Sequence, residues 1–415
     1  LPDHFIKGKD ATVSLRTQRP RVALVASSLR LGGAEKQTVY TARALVQAGM
    51  DVRFFYLGAN GHYEAVLRRL GVPLCRIFAA DKPWVMLAAL IKAFCQWRPH
   101  IVMASQFSDL LHGGAAGRFC NALTLGGVRS DGFYELNAHG RLSRWMSRLA
   151  HGLIANSHCA RQNLVSRGIK PRKIEVTPNV IDLEDFDARS ALPLQASLPV
   201  GRVIAAAVGS LHPCKRFDLF LEALALARRV EPALAGVIAG ADCGARAALQ
   251  ERANVLGLRP PDLIFLGESD RVPALLTRAG LLVLSSEYEG FPNVILEAMA
   301  ARLPALTTPA GDARLIVQHG ETGYVVEHED AQGMADFMVR LAQSPSLKLN
   351  FGRAGRKRVE REYNYESLSD RLRLVFRGFA SQQGRSRLVQ MLDRSLPVKE
   401  TGLPAEALLF NQPSA

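Results

Sequence analysis

Val22-Ala-Leu-Val-Ala26 runs straight into Ser27-Ser-Leu-Arg-Leu-Gly32-Gly33, and a helical pattern follows from Ala34 to Ala48. An unbroken apolar run of this kind is what a strand covered on both faces requires, as in a parallel sheet with helices above and below. Gly49 closes the helix, and Val52 to Leu57 predicts a second strand. Strand, glycine turn, helix and strand together form one βαβ unit of an α/β domain.

The alternation continues outward from that unit. A helix is expected at Tyr63 to Leu70, strands at Pro99 to Ala104 and Gly152 to Asn156, a helix at Ala160 to Arg167 and a strand at Lys173 to Pro178. From Leu183 to Val200 two prolines and weak periodicity predict a linker. Strands then recur at Arg202 to Val208, Gly236 to Ala239, Leu263 to Leu266, Leu281 to Leu284, Ala305 to Thr307 and Tyr324 to Glu327, with helices between them. Helices from Ala331 to Ala342 and Pro345 to Glu362 finish this half. Two βαβ series about a linker predict two doubly wound, Rossmann-like domains facing across a cleft. The expected division is an extension at 1–20, domains at 21–185 and 201–365, a linker at 186–200, a helix at 366–380 returning to the first domain, and a poorly ordered tail at 381–415.

The 415 residues are 48% apolar and 22% charged, which excludes wholesale disorder. Lys and Arg number 52 against 38 Asp and Glu, a net charge of +14, and that excess points to an anionic partner. Cysteines at 75, 95, 120, 159, 214 and 243 are too far apart for a CxxC pair or zinc knuckle, and a reducing, cytoplasmic compartment is expected. Leu1 to Pro20 has no apolar run and does not read as a signal peptide. The most apolar window, Trp84 to Trp97, is interrupted by Lys92 and falls short of the ~20 residues of a spanning helix.

The segment richest in chemistry is Ser285-Ser-Glu-Tyr-Glu-Gly-Phe-Pro-Asn-Val-Ile-Leu-Glu-Ala-Met-Ala300. It leaves a buried strand, turns through Gly290 and Pro292, and opens a helix near Asn293. Free N–H groups at a helix start favour an anion or sugar hydroxyls. Glu289 before the turn and Glu297 one turn into the helix can grip a polyhydroxyl ligand from two sides.

With that segment the chain resembles the family 4 retaining glycosyltransferases of the GT-B fold. Glu289-Gly-Phe-Pro-Asn-Val-Ile-Leu-Glu297 matches the E-x7-E motif of the family. The resemblance runs from about Arg21 to Ala380. It includes Gly32-Gly-Ala-Glu35, Asn156-Ser157, Pro178-Asn-Val-Ile-Asp182, Val208-Gly-Ser-Leu with Lys215, and Gly320-Glu-Thr-Gly323. The resemblance implies a nucleotide-sugar donor in the second domain and a glycan or lipid-linked acceptor entering from the first, in cell-surface polysaccharide or glycolipid synthesis. It gives Glu297 the nucleotide ribose, Glu289 the donor sugar or reacting centre, and Lys215 the diphosphate. By the same resemblance Gly32 and Gly33 are expected against the diphosphate, and Gly290, Phe291, Pro292, Asn293 and Val294 in the turn that binds the donor. Cofactor and metal are not expected, and neither is nucleic acid.

Two positions depart from the family pattern. Ser210 stands where an arginine often follows the glycine, and Arg216 beside Lys215 is the candidate for that second charge. Arg129, in Gly127-Val-Arg-Ser-Asp131, stands where a first-domain histidine is expected; His112 and His139 do not match that place. Asp185-Phe-Asp187 is a D-x-D in the expected linker, with no strand leading into it, and metal ligation is not expected there. No P-loop, G-x-S-x-G or G-x-G-x-x-G motif is present. Arg141 to Ala150 reads as an amphipathic helix. Leu142, Trp145, Met146 and Leu149 share one face and Arg141, Arg144 and Arg148 the adjacent one, so it packs on its own domain or lies on an anionic membrane surface. Arg353, Arg356, Lys357, Arg358 and Arg361 add a second basic cluster. The alternatives are a nucleotide-sugar epimerase of the same architecture, which turns over without acceptor, and a basic nucleic-acid-binding protein, for which no motif speaks.

Overall fold

The apolar run at Arg21–Ala26 forms the first strand of a parallel sheet in a computed structural model of the chain, which describes residues 19–58, 61–77, 82–138, 140–194 and 197–395. The first sheet has seven strands: β1 (Arg21–Ala26), β2 (Asp51–Tyr56), β3 (Leu74–Arg76), β4 (Ile101–Ala104), β5 (Leu123–Val128), β6 (Gly152–Ala155) and β7 (Ile174–Val176). Their order is β3-β2-β1-β4-β5-β6-β7, all parallel. The second holds β8 (Val203–Val208), β9 (Leu234–Ala239), β10 (Leu263–Gly267), β11 (Leu281–Leu284), β12 (Ala305–Thr307) and β13 (Gly323–Val325). Its order is β10-β9-β8-β11-β12-β13, also parallel. Strand order reverses between β1 and β4 and again between β8 and β11, the switch points where doubly wound sheets receive ligands.

The strands are apolar because helices bury both faces. Val22, Leu24 and Met103 belong to one core, while Ala23, Val25 and Val102 pack on the other side against Leu90 and Phe94. The last long helix, Leu368–Gln382, returns to the first domain and lies beside helix Gly33–Gln47. Its Phe376 and Phe379 are fully buried there. Each such burial contributes roughly 1.5–3 kcal/mol, which ties the end of the chain to its beginning. The two passages between domains pair with each other, Ile181 N donating to Tyr363 O at 2.9 Å and Tyr365 N to Ile181 O at 3.0 Å. Beside them a buried ion pair joins Arg43 to Asp182, with the Arg43 guanidinium 4.4 Å from the Tyr365 ring centre.

Two expected boundaries are corrected. The segment 186–200 is not wholly linker: helix Leu183–Ser190 enters it, capped by the Asp182 carboxylate, which accepts from Asp185 N at 3.1 Å. Phe186 is buried in the second-domain core, which a bare linker would not allow. The tail expected at 381–415 is ordered in its first part. Helix Ser386–Arg394 packs Leu388 and Leu392 into the first domain, while 396–415 and 1–18 lie outside the described residues. Among the described residues no helix is long and apolar enough to cross a membrane.

Candidate active site

The motif around Glu289 folds as a strand, a turn and a helix. β11 ends at Leu284, Ser285 and Ser286 are buried, and helix Asn293–Ala300 sends Ile295, Leu296, Ala298 and Met299 into the core. Pro292 precedes the helix and no side chain caps it, so first-turn N–H groups remain for a ligand. Gly290 is required by a close approach. A Cβ there would lie 2.5 Å from the Ser130 carbonyl oxygen of the first domain.

A cleft of about 500 Å³ opens between the domains at both switch points. Gly32, Gly33, Lys36 and Arg129 line it from the first domain. Ser210, Lys215, Glu289, Phe291, Pro292, Asn293, Val294 and Glu297 line it from the second. Gly290 and Arg216 do not reach its wall. For Arg216 this is a correction. Its backbone is left-handed (φ 47), and its guanidinium turns to Asp218 at 3.1 Å and Glu329 at 3.5 Å, so it adds no second charge beside Lys215.

Ion pairs line the cleft, one within the second domain and one across the domains. Lys215 Nζ lies 2.5 Å from Glu289 Oε1, which also accepts from Ser286 Oγ at 2.8 Å. Lys215 itself is fixed by Ser285 Oγ, which donates to its carbonyl at 2.9 Å. Lys36 Nζ reaches from the first domain to Glu297 Oε1 at 3.2 Å. Asn179 Nδ2 donates to Asn293 Oδ1 at 2.9 Å, again across the domains. Asp312 closes the same interface by accepting from His158 N at 2.8 Å and Cys159 N at 2.9 Å, capping the helix His158–Ser166.

Arg129 follows β5 on a loop clamped by Glu135, whose carboxylate accepts from the N–H groups of Arg129 (3.0 Å), Ser130 (2.8 Å) and Gly132 (3.0 Å). Its guanidinium donates to Ser105 O at 3.3 Å and Asn179 Oδ1 at 3.4 Å and meets no carboxylate among the described residues. Burial pushes its pKa down to about 10. An enclosed cation without a counter-charge at a cleft wall is suited to an anionic ligand. His112 stands before helix Gly113–Phe119, outside the cleft, and His139 lies outside the described residues. Asp187 of the D-x-D is bound by Arg356 at 2.8 Å and Asp185 is buried. No group of three His, Cys, Asp or Glu side chains is placed for a metal among the described residues.

Sequence reasoning missed Lys36, Tyr63 and Arg189, all on the cleft wall. Lys36 was within reach: a basic residue in the first turn after a glycine pair faces whatever the glycines face. Arg189 was hidden by the linker reading, because only a helix at 183–190 aims it at the cleft.

Comparison with known proteins accords with this architecture. Residues 31–185 match the family model described as Glycosyltransferase Family 4, and residues 202–344 match that of Glycosyl transferases group 1. The chain is 35% identical over 114 residues to the N-acetyl-alpha-D-glucosaminyl L-malate synthase of Bacillus anthracis, covering 28% of this chain and 30% of that protein. It is 29% identical over 229 residues to the D-inositol 3-phosphate glycosyltransferase of Streptomyces avermitilis, covering 51% of this chain and 48% of that protein. The chain thus spans less than half the length of these curated relatives. In fold it is similar to Anabaena HepE, solved in complex with UDP and glucose. The TM-score is 0.77 at 17% identity, over 86% of this chain and 99% of that one.

Proposed function

This chain belongs to the family 4, group 1 glycosyltransferases, and we propose that it moves a hexosyl or N-acetylhexosaminyl group from a nucleotide sugar to a glycan or lipid-linked acceptor, with retention. The observation that carries this reading is the meeting of Gly32, Gly33 and Lys36 of one domain with Lys215, Glu289, the uncapped helix at Asn293 and Glu297 of the other. Amines and free N–H groups suit a diphosphate, and acceptor-only carboxylates suit sugar and ribose hydroxyls. The relatives named for sugar transfer, and the HepE complex with UDP and glucose, support a uridine nucleotide as the first donor to try.

In this mechanism Lys215 offsets the charge that grows on the leaving diphosphate. The departing phosphate oxygen takes the proton of the acceptor hydroxyl, whose oxygen bonds to the anomeric carbon on the face the phosphate leaves. No protein nucleophile is needed. The interdomain bonds from Lys36, Asn179 and Asp312 hold the halves together around the donor cleft. The direct test screens UDP-, GDP- and ADP-sugars for thermal stabilisation, then follows transfer of labelled sugar to lipid and glycan acceptors. A donor at 100 times its Kd adds about 2.7 kcal/mol of stability. Stabilisation by none of them, with no transfer, ends this reading, and turnover without acceptor marks an epimerase.

Transfer is expected to need no divalent metal, because Lys215, Lys36 and backbone N–H groups stand where the diphosphate charge must be balanced. Activity therefore survives excess EDTA. Complete loss restored by Mg²⁺ or Mn²⁺ contradicts this assignment of charge.

A lipid-linked acceptor places the enzyme at an anionic membrane surface on the cytoplasmic side. In helix Arg141–Leu149, Ser143 and Met146 pack inward, while Leu142 and Trp145 are 42% and 46% exposed beside the exposed Arg144 and Arg148. Replacing Arg141, Arg144 and Arg148 by Ser is expected to weaken vesicle binding by about 1 kcal/mol per residue. A parent protein that ignores anionic vesicles at low salt sinks the idea.

A further inference from the structure

A second cavity, of about 930 Å³, lies at the opposite edge of the first sheet from the cleft. Its walls come from segments that precede strands. Arg118 belongs to the helix ahead of β5, Arg144 and Arg148 to the helix ahead of β6, and Lys170, Arg172 and Lys173 to the turn ahead of β7. The active-site residues Arg129 and Asn179 instead follow β5 and β7. The four-residue strand β6 alone sets the two edges roughly 13 Å apart, and no residue lines both cavities.

This wall holds no Asp or Glu. Its seven cations, Arg167 over the Phe133 ring among them, have no carboxylate partner among the described residues, although arginines elsewhere in the fold commonly do, as Arg356 does with Asp187. Among the described residues Lys173 Nζ donates only to the Ser147 carbonyl, at 3.2 Å. His151, on the same wall, sharpens the point. Its Nδ1 accepts from Thr124 N at 2.9 Å, so a neutral ring must carry its proton on Nε2. Burial and the cations Arg118, Arg385 and Lys173 push this imidazole down to about 4, which keeps it neutral. Yet Nε2 abuts Arg118 Nη1. The ring and the Arg118 guanidinium thus meet at the cavity wall, with no carboxylate beside them among the described residues.

We propose that this cavity is a second anion site, separate from the donor cleft, that binds closely spaced phosphate groups. Phosphate oxygens only accept, carry high charge density and match the guanidinium fork in pairs, so one such group can satisfy Arg118, His151 and their neighbours together. The volume exceeds that of a single phosphate, which suits a diphosphate or a phosphate with its substituent, whether free in solution or in a lipid headgroup. The site stands independently of the transferase reading.

The test uses the full chain and inorganic pyrophosphate, measured by calorimetry. Lys215→Ala lowers binding in the donor cleft, where Lys36 and Arg129 remain, so the second site is read from the part of pyrophosphate binding in this variant that changes at the second wall remove. Within that background, Arg148→Ser with Arg172→Ser, both exposed positions, is expected to weaken pyrophosphate at least 30-fold while circular dichroism stays unchanged. Arg118→Ser supplies a second, independent removal with the same expected direction. Vesicles of phosphatidylglycerol, against phosphatidylcholine, then distinguish the sources. Displacement of the protein from anionic vesicles by pyrophosphate assigns the site to headgroups, and tight pyrophosphate binding without displacement assigns it to a free phosphate compound. Pyrophosphate affinity unchanged in both the double variant and Arg118→Ser overturns the proposal.

Discussion

Lys215→Ala is expected to lower kcat/KM for sugar transfer by about 10²–10³-fold, the usual penalty for removing one preorganised partner of a developing negative charge. The lysine is held in place by the protein at both ends. Its carbonyl is tied by Ser285 Oγ and its ammonium is balanced by Glu289 at 2.5 Å in a largely enclosed wall. Without it a diphosphate enters the cleft with Lys36 as the nearer remaining amine, and Lys36 is already engaged by Glu297. Arg216 does not substitute, because its left-handed backbone commits it to Asp218 and Glu329. Lys215→Arg rescues only in part, since a planar fork does not reproduce a point charge at a fixed place. Because Lys215 and Glu289 touch, the double variant Lys215→Ala with Glu289→Ala should lose less than the sum of the single changes. Wild-type rates in Lys215→Ala place the diphosphate elsewhere.

The same residues show what a linear reading can and cannot see. The two sheets were legible because most interior strands are short apolar runs between glycine- or proline-marked turns, the pattern that burial on both faces favours. β3 escaped because it has three residues, half exposed, at the sheet edge. β5 escaped because Gly126 and Gly127 interrupt its apolar signal. The glycines are there because Leu110 leaves no space for a Cβ at 126, and the Ser105 backbone leaves none at 127. The helix at 183–190 is short and acidic and buries little beyond Asp185 and Phe186, so composition hides it and only its Asp182 cap marks its start. Within the site, Lys215, Glu289 and Glu297 carry a spacing that can be read. Lys36 has no such spacing, since its partner is 261 residues away. Arg216 shows the converse: adjacency to Lys215 in sequence is undone by one left-handed residue. Trp145 likewise reads as core by periodicity, yet Ser143 and Met146 occupy the inner face and leave the indole half exposed.

Glu289 and Glu297 should separate kinetically, because each is set against a different part of the bound donor. Glu297 lies one turn inside helix Asn293–Ala300, with Lys36 as its partner across the cleft. If it holds the ribose, Glu297→Ala removes hydrogen bonds to a charged acceptor, worth roughly 1.5–3 kcal/mol and therefore about tenfold or more in donor Kd. It also frees Lys36 for the diphosphate, so the rise in Kd should exceed the fall in kcat. Glu289 stands before the turn and against Lys215, near where the sugar must sit if the diphosphate meets that lysine. Glu289→Ala should lower kcat at saturating donor by more than it raises Kd, since its contact is made at the reacting centre. Calorimetric titration of the nucleotide sugar, paired with initial rates at saturation, measures both quantities on each variant. Small and equal changes in the two variants would mean that neither carboxylate touches the donor, and the strand-turn-helix at 281–300 would then be a scaffold whose ligand lies elsewhere in the cleft.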